Sequence, residues 1–403
     1  MILMIKRDYY LNQLKLLKDQ KVIKVITGIR RSGKSTLLQL FRDELKTQGI
    51  KKAQIQAFNF EEEQNVDLRD WRKLHQHIES KLVPDQMNYI FLDEVQKVEH
   101  FEETVDSLFV KENIDLYITG SNAFLLSGEL ATLLTGRYIS IHMLPFSFAE
   151  YREAFPNDDN GIRLFTQYLN SSSFPEVVSL SQIDPKLAEN YLSDLYDTIV
   201  NKDIATRYEI RNKTEFEKTA KFILSNIGSP TSARNIANTL SDNGQLTHNT
   251  IIRYLNYLTQ SYLIYPVSRY DIKGKKILTT NDKYYTVDLG LRQLLLASST
   301  TSDIGHKLEN VVYLELLKRN EGQILVGKTD ENEVDFIVQK PGGERMYYQV
   351  AYHTDTPETL HRELAPFVKI KDNYPKILLT LDLVPEEYSG IRKYNLIDWL
   401  LEK

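Results

Sequence analysis

The segment Gly28-Ile29-Arg30-Arg31-Ser32-Gly33-Lys34-Ser35 sets two glycines, a lysine and a hydroxyl at the spacing G-x-x-x-x-G-K-[ST]. Each residue type has a physical reason. Glycines let successive backbone N–H groups curl around an anion, and a helix that starts where the segment ends adds partial positive charge there. Lys34 is long enough to reach the β- and γ-phosphates of a nucleoside triphosphate, and the Ser35 hydroxyl is an oxygen ligand of the kind Mg²⁺ takes. The flanks are those this spacing needs, an apolar run before and a helical pattern after. Gly28, Arg30, Arg31, Ser32, Gly33, Lys34, Ser35 and Thr36 are therefore expected to bind ATP or ADP. The dinucleotide pattern G-x-G-x-x-G is absent.

Tyr89-Ile90-Phe91-Leu92 reads as a buried strand that delivers Asp93 and Glu94 at its carboxyl end. Asp93 is expected to hold Mg²⁺ with Ser35, through water. Glu94 is expected to polarise the attacking water, which points to hydrolysis rather than transfer to a small molecule. A helix-capping pair is the other use of two adjacent acids at such a place. Leu116-Tyr117-Ile118-Thr119-Gly120-Ser121-Asn122 is a further strand ending in small polar side chains. Ser121 is expected at the γ-phosphate and Asn122 beside the water; a plain turn fits that stretch equally well. The histidines are scattered without metal-ligand spacing. With no Cys in the chain, disulfides, thiolate zinc sites and cysteine nucleophiles are excluded.

The elements that must position these groups alternate. A helix is predicted over 8–20, with Leu11, Leu14 and Leu17 on one face, then a strand over Val22–Thr27 and a helix over about 35–46 closed by Gly49. A strand over Gln54–Phe60 ends in Glu61-Glu62-Glu63. A helical stretch over 67–83 stops at Pro84, and strands follow at Tyr89–Leu92 and Ile114–Thr119. This alternation predicts an α/β fold, a mostly parallel sheet covered on both faces. After Pro145 the pattern turns mostly helical to about 225. Two helices and short strands follow over 230–290, and from about 304 come a helix, three or four strands and closing helices.

The chain has 403 residues, enough for two to four domains, with ordinary apolar and charged shares for a folded protein. Its net charge of -5 means that any nucleic-acid contact must come from a local basic patch. No stretch approaches about 18 uninterrupted apolar residues, so no membrane span is expected. The apolar run at Met1–Ile5 is too short for a signal peptide, and the absence of Cys fits a reducing compartment. The cytoplasm is the expected location.

The three motif elements in this order resemble the AAA+ ATPases. Leu134-Thr135-Gly136-Arg137, with Leu144-Pro145-Phe146-Ser147-Phe148-Ala149-Glu150-Tyr151, is similar to a signature of one prokaryotic branch. Its members carry an AAA+ P-loop core, a winged-helix region and a C-terminal domain of uncharacterised function. Further matches are Phe174-Pro175-Glu176, Asp203-Ile204 before Arg207, Tyr284–Gly290, Leu308-Glu309-Asn310 and Glu333-Val334-Asp335-Phe336, so the resemblance covers nearly the whole chain. One departure is Ser172-Ser173, where the branch has a double glycine. The resemblance implies that Arg137 senses the γ-phosphate, often from a neighbouring subunit, and so implies a homo-oligomer. A structural salt bridge is the other role open to Arg137.

Thr231–Leu240 and Thr247–Thr259 read as two helices, the second with Ile251, Ile252, Leu255 and Leu258 on its apolar side and His248, Asn249, Arg253 and Asn256 on the other. Strands near Tyr262–Arg269 and Lys276–Thr279 flank Lys273-Gly274-Lys275-Lys276. Helix–turn–helix with a basic-tipped hairpin is a winged helix, able to contact DNA or, as a lid, another protein. The C-terminal region resembles the restriction-endonuclease fold, with Glu309 on its helix and Asp335 on its first strand. Where that fold needs [ED]-x-K, the chain reads Gln349-Val350-Ala351.

Four regions are expected: 1–150, an AAA+ ATP-binding core; 151–225, a helical lid or linker; 226–300, a winged helix; and 301–403, a catalytically degenerate restriction-endonuclease-like domain. The expected activity is Mg²⁺-dependent ATP hydrolysis that drives a switch or remodels a protein partner, with DNA association through the winged helix. The alternatives are an ATP-licensed nuclease and a nucleotide-gated scaffold of slow turnover.

Overall fold

Five consecutive buried residues, Ile-Lys-Val-Ile-Thr, make β1 (Ile23–Thr27) a strand covered on both faces. Its charged member, Lys24, pairs in the interior with Asp115, which also accepts the Tyr117 hydroxyl at 2.7 Å. Around β1 the other strands are β2 (Ile55–Asn59), β3 (Asn88–Asp93), β4 (Ile114–Gly120) and β5 (Tyr138–His142). They form one parallel sheet in the order β2-β3-β4-β1-β5. In this computed structural model residues 5–122, 134, 136–240, 246–278, 281–296, 303–329 and 332–402 are described.

Period-two alternation sorts each strand between two cores. On β3, Ile90 and Leu92 face a cluster with Leu74 and Ile78 of α3 (Trp71–Ser80) and Val105 and Leu108 of α4 (Phe101–Val110). Tyr89 and Phe91 face the opposite cluster, with Leu11 and Leu14 of α1 (Asp8–Leu17) and Leu37, Phe41 and Leu45 of α2 (Lys34–Thr47). Helices on both sides of a parallel sheet are what the alternating pattern predicts. Two boundaries differ. The first helix ends at Leu17, because Asp19 takes a left-handed φ of 61°. The stretch predicted as one helix over 67–83 splits into a 3-10 turn, Glu63–Arg69, and α3. Asp70 between them is extended and caps α3 by accepting from Lys73 N at 3.0 Å.

The chain forms two compact units, Met1–Pro145 with Gln260–Tyr262, and Phe146–Thr259 with Leu263–Lys403. The second unit opens with the helix Phe148–Glu153, whose Ser147 and Glu150 make the reciprocal capping box that Ser-x-x-Glu allows. Ser172 and Ser173, in place of a double glycine, are held by Asp288. Its Oδ2 accepts Ser173 N at 2.7 Å and Ser173 Oγ at 2.8 Å. The room comes from Gly290, where a Cβ would lie 2.4 Å from Ser172 N.

Two helices, Ala233–Leu240 and His248–Gln260, precede the ribbon of β6 (Ile264–Val267) with β9 (Lys283–Thr286). The extended stretch predicted as one strand near 262–269 divides. Its second part, β7 (Arg269–Asp271), pairs instead with β8 (Lys276–Ile277) around the lysine-rich turn. Residues 241–245, between the helices, and Thr279, the expected end of the last strand, lie outside the described residues. The β7–β8 hairpin extends a mixed eight-stranded sheet, β14-β15-β13-β12-β11-β10-β7-β8. The other members are β10 (Gln323–Lys328), β11 (Glu333–Gln339), β12 (Arg345–Val350), β13 (Lys376–Thr380), β14 (Glu386–Tyr388) and β15 (Ile391–Asn395). Among the described residues no helix is long and apolar enough to cross a membrane.

Candidate functional site

β1 ends at Thr27 and the chain curls at once. Gly28 has φ 142°, and a Cβ there would lie 2.1 Å from Met143 O, so a glycine is required. Arg31 and Gly33 also take positive φ, 65° and 101°, and Gly33 is the N-cap of α2. Within the curl the Ser32 hydroxyl oxygen is buried and meets no hydrogen-bond partner among the described residues. Lys34 is 4% exposed, and its Nζ donates to Gly28 O at 3.0 Å and Ile29 O at 3.1 Å. Burial lowers its pKa, against the pull of Glu94 and Asp93. Ser35 and Thr36 stand exposed on the first turn of α2.

The acids arrive from β3. Because β4 lies between β3 and β1 and all three run parallel, the residues at its carboxyl end fall between the acids and the loop. Thr119 Oγ1 donates to Asp93 Oδ1 and accepts Glu94 N at 3.0 Å. Burial pushes the Asp93 carboxyl up, against hydrogen bonds from Thr119 and Ser35. Glu94, with φ 56°, turns back so that Oε2 accepts Ser121 Oγ at 3.1 Å and Oε1 lies 3.9 Å from Lys34 Nζ. Lys34, Ser35, Asp93, Glu94, Thr119 and Ser121 thus form one network. A cavity of about 380 Å³ opens beside it, lined among others by Ser35, Thr36, Gln39, Arg42, Asn59 and Asp93. At the end of β5, the His142 Nδ1 lies 3.3 Å from Thr27 Oγ1, and burial and the nearby Lys34 bring its pKa down to about 4.

The remaining expected residues take these places. Arg30 turns to Glu61 at 3.2 Å, and Arg31 is exposed. Asn122 is buried after the end of β4. Arg137 precedes β5, its carbonyl accepting Ile23 N at 2.8 Å, at the amino edge of the sheet. The phosphate-type loop is at the carboxyl edge, one five-residue strand away, about 16 Å at strand rise. Arg137 pairs there with Asp106 and lies 5.8 Å over the Phe109 ring. Thr119 and Arg42 were not singled out from sequence. Thr119 had a signal, since it sits inside the same polar strand end as Ser121.

The loop suits a phosphate on its own chemistry: a curl built on positive φ, an ammonium at its centre and a buried hydroxyl that meets no partner among the described residues. The hydrogen-bonded pair Ser35 and Asp93 offers the oxygen ligands that Mg²⁺ takes.

In the second unit, Glu309 on the helix Ile304–Arg319 does not pair with Lys307, whose Nζ goes to Asn170 Oδ1 at 2.7 Å. Its partner is Lys283 of β9, 3.3 Å away, which is also bound by Glu333. Asp335 anchors the next strand by accepting Val350 N at 2.8 Å, and Gln349 donates to Glu363 at 3.2 Å. One group of metal-ligating types escaped the sequence reading: His353, Asp355 and Asp382 lie close together. Burial pushes Asp382 up, but hydrogen bonds from Thr354 and His353 and the nearby Lys393 hold it well below the usual carboxylate range. Its oxygens are engaged in tying together the loops after β12 and β13.

Residues 20–152 match the family model of an AAA domain, and residues 162–302 that of a domain of unknown function (DUF8612). The second match lies upstream of 301–403, where the sequence reading sets the uncharacterised domain. The chain is 41% identical over 406 residues to an uncharacterized protein of Haemophilus influenzae, covering 99% of both chains. It is 30% identical over 403 residues to an uncharacterized protein of Methanocaldococcus jannaschii, covering 96% of this chain and 86% of the relative. Among solved structures, a Walker-type ATPase of Pyrococcus abyssi is similar with a TM-score of 0.47 and 15% identity, covering 72% of this chain and 96% of that one.

Proposed function

Since the chain belongs to the same family as its full-length relatives and carries an AAA domain, we propose that it binds ATP with Mg²⁺ and hydrolyses it to drive a switch or to remodel a partner. The observation that carries this reading is the network of Lys34, Ser35, Asp93, Glu94 and Thr119 across three parallel strand ends. The loop N–H groups and Lys34 hold the phosphates. Ser35 and Asp93 would hold Mg²⁺, which would supply charge neutralisation at the terminal phosphates. Glu94 takes the proton of the attacking water, and Thr119 and Ser121 fix the orientation of the acids. Arg137 serves a neighbouring copy rather than its own loop. His248, Asn249, Arg253 and Asn256, exposed on one helix, with the basic turn at Lys273–Lys276, are the surface we assign to DNA. The test is phosphate release from ATP by the pure protein, with Mg²⁺ and with chelator. Release that needs Mg²⁺ supports the reading, and binding of neither ATP nor ADP would end it.

A further inference from the structure

Arg7 lies outside the phosphate-type motif, yet its side chain reaches the back of the loop. It is 4% exposed, and Nη1 donates to Ser32 O at 3.0 Å while Nη2 donates to Leu144 O at 2.7 Å and Pro145 O at 3.3 Å. The guanidinium sits 4.9 Å over the Tyr10 ring, and the Tyr10 hydroxyl accepts Leu144 N at 3.2 Å. Arg7 itself holds a left-handed φ of 57° as the N-cap of α1, and its carbonyl accepts Tyr10 N at 3.0 Å. Such a conformation is uncommon for a side chain of this size.

The segment it joins to the loop is the one that already touches it, since Met143 O packs against Gly28 and Met143 N donates to Thr27 O at 2.8 Å. The peptide between Ser32 and Gly33 is planar and trans, so its C=O and N–H point in opposite directions. A bond that holds Ser32 O toward Arg7 therefore aims the Gly33 N–H the other way. It also holds in place the loop around the buried Ser32 hydroxyl.

We propose that Arg7 is a positioning residue for phosphate recognition: its guanidinium fork fixes the orientation of the Ser32–Gly33 peptide against residues 144–145, so that the loop meets a nucleotide already formed. This rests on the nucleotide-binding reading above. Lysine keeps the charge but cannot fork to three carbonyls, so Arg7→Lys separates geometry from charge.

The experiment measures dissociation constants of AMP and ADP for the full chain, for Arg7→Lys, for Arg7→Met and for Lys34→Ala, with the folded fraction followed by circular dichroism. The expected result is a folded Arg7→Lys protein whose ADP affinity falls about tenfold, about 1.4 kcal/mol, with AMP affinity nearly unchanged. A general loss of stability moves both nucleotides together. Arg7→Lys binding ADP as wild type does, while Lys34→Ala does not, overturns the role of Arg7 alone. Equal losses for AMP and ADP, or failure of both Arg7 variants to fold, assign Arg7 to the fold and overturn it as well. A wild type that binds no ADP removes the nucleotide reading itself.

Discussion

Lys34 is a buried cation whose two nearest acceptors are carbonyls of its own loop, 3.0 and 3.1 Å away. That geometry makes it irreplaceable in a phosphate site, because no other side chain on the loop offers a charge there. Lys34→Ala is expected to lower ATP affinity at least about 100-fold, measured by fluorescent-nucleotide displacement. Glu94→Gln keeps the shape and loses the base, so ATP should still bind while kcat falls by about 10²–10⁴; unchanged turnover removes Glu94 from its role. Thr119→Val leaves the Asp93 carboxylate and the Glu94 amide without their shared hydroxyl, which predicts a loss of about tenfold in kcat, about 1.4 kcal/mol. His142 adds a pH dependence. Its native pKa of about 4 lies below the ordinary value, so as pH falls the unfolded chain takes a proton before the native one does. Stability is then full above about pH 6.5 and is lost on the way down to the native pKa, by about 3 kcal/mol. In His142→Gln that acid loss should shrink, as read from melting temperatures between neutral pH and pH 4.5. Lys34, Asp93 and Glu94 were legible because each lies in one contiguous stretch with a strand before it. Arg7 was not, since its acceptors lie 25, 137 and 138 residues away and nothing in its own segment marks it.

Strand order decides which of these residues meet, and it was only partly readable. Alternating apolar and polar runs foretold a parallel sheet, but not that β4 would separate β1 from β3, which is what makes Thr119 a bridge. In the second unit the basic turn was visible as Lys273-Gly274-Lys275-Lys276. The parallel pairing of β7 with β10, Val326 opposite Arg269, was not, because it joins strands more than fifty residues apart by backbone bonds alone. The turn is exposed, so replacing Lys273, Lys275 and Lys276 by Gln should flatten the salt dependence of duplex DNA binding, by up to about 0.9 in slope for each phosphate that is no longer neutralised. An unchanged slope, or no binding at low salt, assigns this surface to protein contacts instead. The residues around Glu309 on its own helix cannot reveal which strand faces it; β9 does, and brings Lys283. That lysine lies among Glu309, Glu333 and Asp335, yet it is already spent on them: burial pulls its pKa down, and the three carboxylates raise it above the ordinary value. Gln349 at the end of β12 and Ala351 just after it stand where the acid and the ammonium would be, which removes the groups that would stabilise a developing phosphorane. Incubation with single- and double-stranded DNA and RNA, with Mg²⁺ or Mn²⁺ and ATP, should give no cleavage. Cutting that disappears in Asp335→Ala would prove this wrong.

For the molecule as a whole, the position of Arg137 requires a second copy if it is to touch a nucleotide. The sheet is parallel, so its two edges are chemically different: the loop, the acids and Thr119 gather at the carboxyl edge, while Arg137 stands at the amino edge beside Asp106. The length of β1 separates them, more than an arginine side chain can span. Its pairing with Asp106 is half exposed, with side chains 43% and 49% accessible, and an exposed pair of this kind contributes about 0–1 kcal/mol. A site on another copy can therefore compete for the guanidinium at little cost. If it does, ATP should promote oligomers, seen as a shift in mass by light scattering, and turnover per subunit should rise with protein concentration. Mixing gives the sharper result. Arg137→Ala subunits keep an intact loop and lack the donor, whereas Lys34→Ala subunits lack the loop and keep the donor. Each is inactive alone. Where the two meet in the right order, one complete site forms, and the mixture should hydrolyse ATP faster than either preparation. The same mixture made with a double variant, Lys34→Ala with Arg137→Ala, has no donor to give and should recover nothing. A strict monomer whose turnover is independent of concentration leaves Arg137 with Asp106 as its sole business and returns it to the fold.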